Sequence, residues 1–239
     1  MNLWRAGCSE MGTSGSEGGS RKRTGRNPGT APRSDPYSKL KGPAKWTYYY
    51  LYVILDVFSR YVVAWTVQHR ETAQIAKALI EQAAEQQHIT PGILGLHADR
   101  GAPQRARPVA FLLADLGITK THSRPYTSTD NPYSESNFKT LKYRPEFLAR
   151  FDSIEHAREH CRAFFGWYNH THRHSGIGLM TPAAVHHGHA RQLHAARAGV
   201  LDAAYAAHPE RFVRKPPAPP QLPVAAWINK PAHTKEIAH

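Results

Sequence analysis

The sequence predicts a mixed α/β fold: three antiparallel strands first, then helices and strands in alternation, then a helical C-terminal part. Three observations carry that expectation. The stretch Thr47-Tyr48-Tyr49-Tyr50-Leu51-Tyr52-Val53-Ile54-Leu55 is aromatic, β-branched or apolar almost throughout, as a strand buried on both faces is. The period then switches, because Ala73, Ala76, Leu79, Ile80, Ala83 and Ala84 fall on one face of a helix. Beyond it, short apolar runs at Ile93 to His97 and Ile118 to His122 are separated by a helical segment. That order points to one sheet with helices on both faces.

Taken in order, a first strand is expected at about residues 34 to 40, ahead of the bend Lys39-Leu40-Lys41-Gly42-Pro43-Ala44-Lys45. The long aromatic strand follows. Asp56-Val57-Phe58-Ser59-Arg60 supplies a turn, and Tyr61 to Val67 its antiparallel partner. A helix is expected over about 71 to 87, a strand over 93 to 97, and a helix over 107 to 116 closed by Gly117. A fifth strand covers 118 to 122, and a turn-prone Ser128-Thr129-Asp130-Asn131-Pro132 opens a helix bearing Glu135. Asp152 or Ser153 caps a helix that runs to about Asn169. Thr181-Pro182 starts another, with Thr at the cap and Pro in the first turn, and a last helix spans about 190 to 207.

The ends are different in kind. Residues 1 to 34 hold seven of the 17 glycines, five serines and the basic group Arg21-Lys22-Arg23, with no hydrophobic periodicity. Such a segment cannot bury enough surface to offset its ordering entropy and is read as disordered. The expected division is a core over 35 to 190, a helical extension over 191 to 214 and a proline-rich tail over 215 to 239, extended through Lys215-Pro216-Pro217-Ala218-Pro219-Pro220. Over the whole chain, 31 Lys and Arg stand against 18 acids, a formal charge of +13. That surplus speaks about partners, nucleic acid before an anionic membrane surface. No apolar run approaches the ~20 residues of a bilayer span, and the start lacks the apolar core of a signal peptide. Cys8 and Cys161 lie too far apart for a zinc finger or a disulfide framework, so a reducing, cytoplasmic setting is expected.

Two acids stand out. Asp99 follows the strand that ends at His97, and Glu135 sits early in a helix. Carboxylates so placed can converge on one cation, and magnesium takes one or two carboxylates with phosphate oxygens and water.

At this point the residues form a pattern. Leu55-Asp56-Val57-Phe58-Ser59-Arg60-Tyr61, His97-Ala98-Asp99-Arg100-Gly101, Ser134-Glu135-Ser136, and Trp167-Tyr168-Asn169 with Arg173-His174 resemble the catalytic core of insertion-sequence transposases. The resemblance covers about residues 37 to 190, and the 35 residues between Asp99 and Glu135 match that family's interval. It implies the ribonuclease-H-like fold of the retroviral-integrase superfamily. It also implies two magnesium or manganese ions held by an Asp, Asp, Glu set, DNA as substrate, and a multimer on DNA. By position Asp99 is the second acid and Glu135 the third.

The first acid departs from the pattern. Registering Lys39-Leu40 against the family motif puts the catalytic position at Pro36, with Asp35 beside it. Neighbouring strand residues face opposite ways, so Asp35 needs a bulge to reach the metals. With the composition of residues 1 to 34, this reads as a truncated or frameshifted transposase whose active site is damaged. Asp56 reads as a turn residue.

The remaining candidates are basic. Lys139, Lys142, Tyr143 and Arg144 are expected on the helix of Glu135, where 139, 142 and 143 share a face suited to a DNA backbone. Arg173 and His174 correspond to a family motif near the active site, with a phosphate contact or helix capping as their two readings. Ser123-Arg124-Pro125 is expected to begin a loop over the site. The chain has 16 histidines, among them His170, His172, His174 and His186, His187, His189, but their spacing fits no zinc motif. Three functions remain in view: strand transfer on DNA, a non-catalytic DNA-binding remnant, and a metal-dependent nuclease.

Overall fold

In the computed structural model the described residues are 38–90, 92, 94–98, 107–122 and 132–228. The expectations for residues 1 to 34, Asp35, Pro36, Asp99 and the loop from Ser123 lie outside them. The elements appear in the predicted order. Strands β1 (Ser38–Lys41), β2 (Tyr48–Leu55) and β3 (Val62–Gln68) precede α1 (Ala73–Gln86), β4 (Gly95–Ala98), α2 (Arg107–Asp115) and β5 (Thr119–His122). Then come α3 (Pro132–Lys142), α4 (Ile154–His170), a 3₁₀ turn at Ser175–Ile177, α5 (Pro182–His186) and α6 (Ala190–Ala207).

Sheet order β1-β2-β3 is antiparallel throughout, with Leu40 opposite Tyr49 and Leu51 opposite Val67. β4 and β5 run parallel, Ala98 opposite His122. Among the described residues these two strands bond to each other and not to the first three. Packing joins the two sets instead.

The alternation along β2 decides which helix goes to which face. Tyr49 and Leu51 turn to one side and meet Leu40, Val67, Leu141 of α3 and the apolar face of α4, centred on Phe164, Phe165 and Tyr168. Tyr52 and Ile54 turn to the other and meet α1, α2, Leu94 and Leu96. Helices therefore cover both faces, which is why β2 carries apolar residues at successive positions.

Ser153, Thr181 and Gly117 cap where the sequence indicates, and Thr72 adds a cap that it did not single out. The Thr72 hydroxyl accepts from Ile75 N at the start of α1, and Thr181 does the same for α5 at Ala184 N. Ser153, the second of the two proposed residues, caps α4 by accepting from His156 N. Gly117 has φ 63°, letting Ile118 N donate back to the Leu113 carbonyl at the end of α2.

A third, smaller core gathers Ile177, Met180, Val185 and Ala190 beneath Phe58 and Leu222. Past a 3₁₀ turn at Pro209–Arg211, the chain beyond α6 is extended but not remote. A Cβ on Gly178 would stand 2.7 Å from the Gln221 carbonyl oxygen, and the Tyr133 hydroxyl donates to the Trp227 carbonyl at 2.9 Å. No described helix is long and apolar enough to cross a membrane.

Candidate active site at the start of α3

Pro132 opens α3, where its missing N–H costs nothing and its fixed φ suits the first turn. Glu135 follows in that turn, where the positive end of the helix dipole favours a carboxylate. α3 is sided by its sequence. Asn137 and Leu141 are buried toward α4, while Lys139 and Lys142 are exposed. Glu135, Lys139 and Lys142 are spaced i, i+4, i+7, so the acid and both lysines share one outward stripe. No ion pair or hydrogen bond to a described residue engages the half-exposed Glu135 carboxylate. Two hard oxygens are thus available there, the donor type magnesium takes. Asp99 would follow directly on β4, whose carboxyl end at Ala98 lies beside that of β5 at His122. Such strand ends are where open α/β sheets place their ligands. Among the described residues no group of three His, Cys, Asp or Glu side chains could hold a metal.

The start of α3 is held from beneath by a residue the sequence reading left out of the site. Arg60 lays its guanidinium over the Tyr133 ring, 4.0 Å from the centroid. Its backbone has φ 67°, a region where a side chain costs about 1–2 kcal/mol. The residue is only 8% exposed, and its Nη1 has no hydrogen-bond partner among the described residues. A buried cation on a strained turn, stacked on Tyr133 two residues before Glu135, marks a site that holds its geometry. The signal was present in the sequence as the Ser59-Arg60 end of the hairpin turn.

Asp56 is a turn residue, as expected, and more. Its carboxylate accepts from Phe58 N at 3.0 Å and Ser59 N at 3.3 Å, and from the Ser59 hydroxyl. His186 of α5 reaches the same carboxylate through Nδ1 at 3.3 Å, and its Nε2 lies 2.9 Å from Gln87 Oε1. Burial alone would push the Asp56 carboxyl up, but the bonds from His186, Ser59 and Phe58 outweigh it and hold it below the usual carboxylate value. Tyr61 stacks on His186, ring centroids 4.3 Å apart and 10° between planes. Serine, histidine and aspartate meet here, yet Ser59 is fully buried and spends its proton on Asp56. The cluster is a clamp between hairpin and α5, not a nucleophile.

The basic candidates separate. Arg144 does not ride on α3, which ends at Lys142 because the residue before Pro145 is driven out of helical geometry. Its guanidinium donates to both Glu146 oxygens, at 2.9 and 3.0 Å, and stacks on Trp167 at 3.8 Å. Arg173 is exposed. His174 caps the 3₁₀ turn, accepting at Nδ1 from Gly176 N at 3.2 Å, and burial, with Arg60 and His172 nearby, pushes its pKa down. Asn169 works as a strand. Its amide accepts from Val62 N at 2.9 Å and donates to Val62 O at 3.0 Å.

Two sequence profiles described as Integrase core domain match the chain, one over residues 34–128 and one over residues 116–182. The chain belongs to the integrase core family. Among its relatives is the transposase for insertion sequence element IS904 of Lactococcus lactis subsp. lactis (strain IL1403), 30% identical over 59% of this chain and 55% of that protein. An uncharacterized 31 kDa protein of insertion element IS600 from Shigella sonnei is 30% identical over 56% of this chain and 50% of its own. Transposase InsF for insertion sequence IS3A of Escherichia coli (strain K12) is 28% identical over 56% and 46%. The chain spans about half the length of these curated relatives. Among solved structures, the catalytic core domain of BIV integrase aligns with 65% of this chain and 94% of its own, at 22% identity and TM-score 0.44. The HTLV-2 integrase catalytic core domain in complex with magnesium aligns with 63% and 90%, at 17% identity and TM-score 0.45.

Proposed function

We propose that this integrase core carries out metal-dependent cleavage and joining of DNA strands in transposition, with Asp99 and Glu135 as its metal-holding carboxylates. One observation supports this reading above the rest. The integrase core matches run across both acids, and the second of them stands on the first turn of α3 with its oxygens unengaged by any described residue. Two magnesium or manganese ions bound there would supply Lewis-acid activation of an attacking oxygen and stabilise the leaving oxygen at a phosphodiester.

The chain's own residues do the rest. Glu135 offers hard oxygen donors from a fixed helix turn, and Arg60 fixes that turn through Tyr133. Lys139 and Lys142 lie along the same stripe and hold the phosphates that flank the reacting bond. Arg173, exposed at the end of the α4 segment, adds a phosphate contact, while Arg144 and His174 act by packing and capping. Asp35 is the remaining carboxylate available to the set. The partners are the ends of a mobile element, target DNA and further copies of the chain, at the nucleoid.

A second reading, a non-catalytic DNA-binding remnant, is favoured by one feature: Pro36 occupies the register of the first acid and Asp35 falls one residue short of it. Strand transfer between labelled element-end and target duplexes separates the two. Joining that requires Mg²⁺ or Mn²⁺ and disappears in Glu135→Gln, with DNA binding retained, supports the enzyme. Binding without cleavage under either metal supports the remnant, and hydrolysis without joining supports a nuclease.

A further inference from the structure

The β1–β2 hairpin carries an arrangement that folding does not explain. Thr47 N donates to the Ala44 carbonyl at 3.2 Å, closing a four-residue turn with Lys45 and Trp46 in the middle. Trp46 takes the third position with φ 69°, a conformation for which such turns use glycine or asparagine. The indole is 77% exposed. A large aromatic is therefore held in a disfavoured backbone region and gains little from burial. Strain of that kind collects at sites that bind something.

Its surroundings state what. Lys45 Nζ stands 5.6 Å from the Trp46 ring centroid. Arg150 donates to the carbonyls of Gly42 and Ala44, at 3.2 and 3.3 Å, so a guanidinium is locked against the hairpin. Lys41, Lys45, Trp46 and Arg150 line one shallow concavity, and Lys39, Lys41 and Lys142 line the next, with no acid lining either. Lys41 belongs to both. Phe151 N donates to the Lys41 carbonyl at 2.9 Å and ties the 147–151 segment to the β1 edge, which fixes the two concavities side by side. Lys142 is on α3, seven residues from Glu135, or about 10 Å along a helix.

A basic floor with one exposed aromatic ring at its end is the chemistry that holds single-stranded nucleic acid, phosphates on the cations and a base on the ring. We infer that the hairpin tip binds an unpaired DNA strand, Trp46 stacking on a base and Lys41, Lys45 and Arg150 holding its backbone, with Lys39 and Lys142 continuing the track toward Glu135. Duplex DNA presents no base face to such a ring except at its very end. The proposal rests on the reading of this chain as a DNA-acting core but does not need the core to be active.

Binding is measured on the full chain in EDTA by fluorescence anisotropy, with labelled oligothymidylate and a blunt duplex of equal length. Trp46→Ala is expected to weaken single-strand binding about tenfold and duplex binding less than about twofold, whereas Trp46→Phe keeps a stacking face and stays near the wild type. Lys41→Gln with Lys45→Gln is expected to lower the slope of log affinity against log salt by about one. Circular dichroism of each variant checks the fold, which a side chain this exposed does not support. Wild-type single-strand affinity in Trp46→Ala overturns the proposal, as does an equal loss on duplex. So does Trp46-dependent binding of polyglutamate in place of oligothymidylate, which would make the tip a protein-docking surface. A chain that binds neither DNA overturns the DNA reading itself, while intact DNA binding indifferent to Trp46 overturns the hairpin alone.

Discussion

Arg60 and Asp56 lie at the two ends of one turn and do opposite things with charge. Asp56 collects donors until its carboxylate is satisfied, and Arg60 keeps a buried nitrogen without a partner among the described residues and leans on an aromatic face. Because the folded Asp56 carboxyl lies below its ordinary value of 3.8, its contribution to stability is complete above that pH and is lost as pH falls through the folded value. Asp56→Asn should therefore flatten the acid limb of the stability–pH curve measured by urea unfolding. His186→Ala, which removes a partner whose side chain is 6% exposed, should cost about 1–3 kcal/mol near neutral pH. Arg60→Lys keeps the charge and loses the planar stack. Amide exchange in the first turn of α3 should then speed up severalfold, with Tyr133→Ala giving the same pattern and the exchange of α4 unchanged. An unaltered α3 would mean that Arg60 does not position the helix.

α4 is the element that ties the sheet down. Arg158 donates through Nε and Nη2 to the Val67 carbonyl at 3.1 and 3.0 Å, and Asn169 pairs with both backbone groups of Val62. One helix thus grips both ends of β3, with its apolar face filling the space between. Asn169→Ala orphans a buried N–H and a buried carbonyl together and should cost about 3 kcal/mol in chemical denaturation. A loss under about 1 kcal/mol would mean water replaces the amide.

The elements themselves were legible because their periods are strong. The aromatic run of β2, the apolar stripe of α1, Gly117 after α2 and Thr181-Pro182 before α5 each act over a few residues. The end of α3 was legible too, in Pro145, but was read two residues late. What could not be read were pairings across long stretches of chain. Nothing local in His186 announces Asp56, 130 residues away, or in Asn169 a strand partner 107 residues earlier.

For the molecule as a whole, the two main cores and the small third one meet around the hairpin turn, and the extended chain after α6 returns to cover the third. A proline-rich segment has no period to reveal that docking. Gly178 decides it, since the 2.7 Å approach to the Gln221 carbonyl leaves no room for a Cβ and φ 68° disfavours a side chain besides. Gly178→Ala should release residues 221–228, seen as faster cutting there by a non-specific protease while β2 and α4 stay protected. Cutting at the wild-type rate would mean the segment is held elsewhere.

The integrase-core reading joins these scales in one demand on the molecule: a strand end and a helix start must share a divalent ion. Manganese binding to the full chain, followed by electron paramagnetic resonance without DNA, tests it most directly. Wild-type chain should take up Mn²⁺, and Glu135→Gln and Asp99→Asn should each weaken uptake about tenfold or more while leaving the unfolding midpoint in place. Uptake by Glu135→Gln equal to that of the wild type would contradict it.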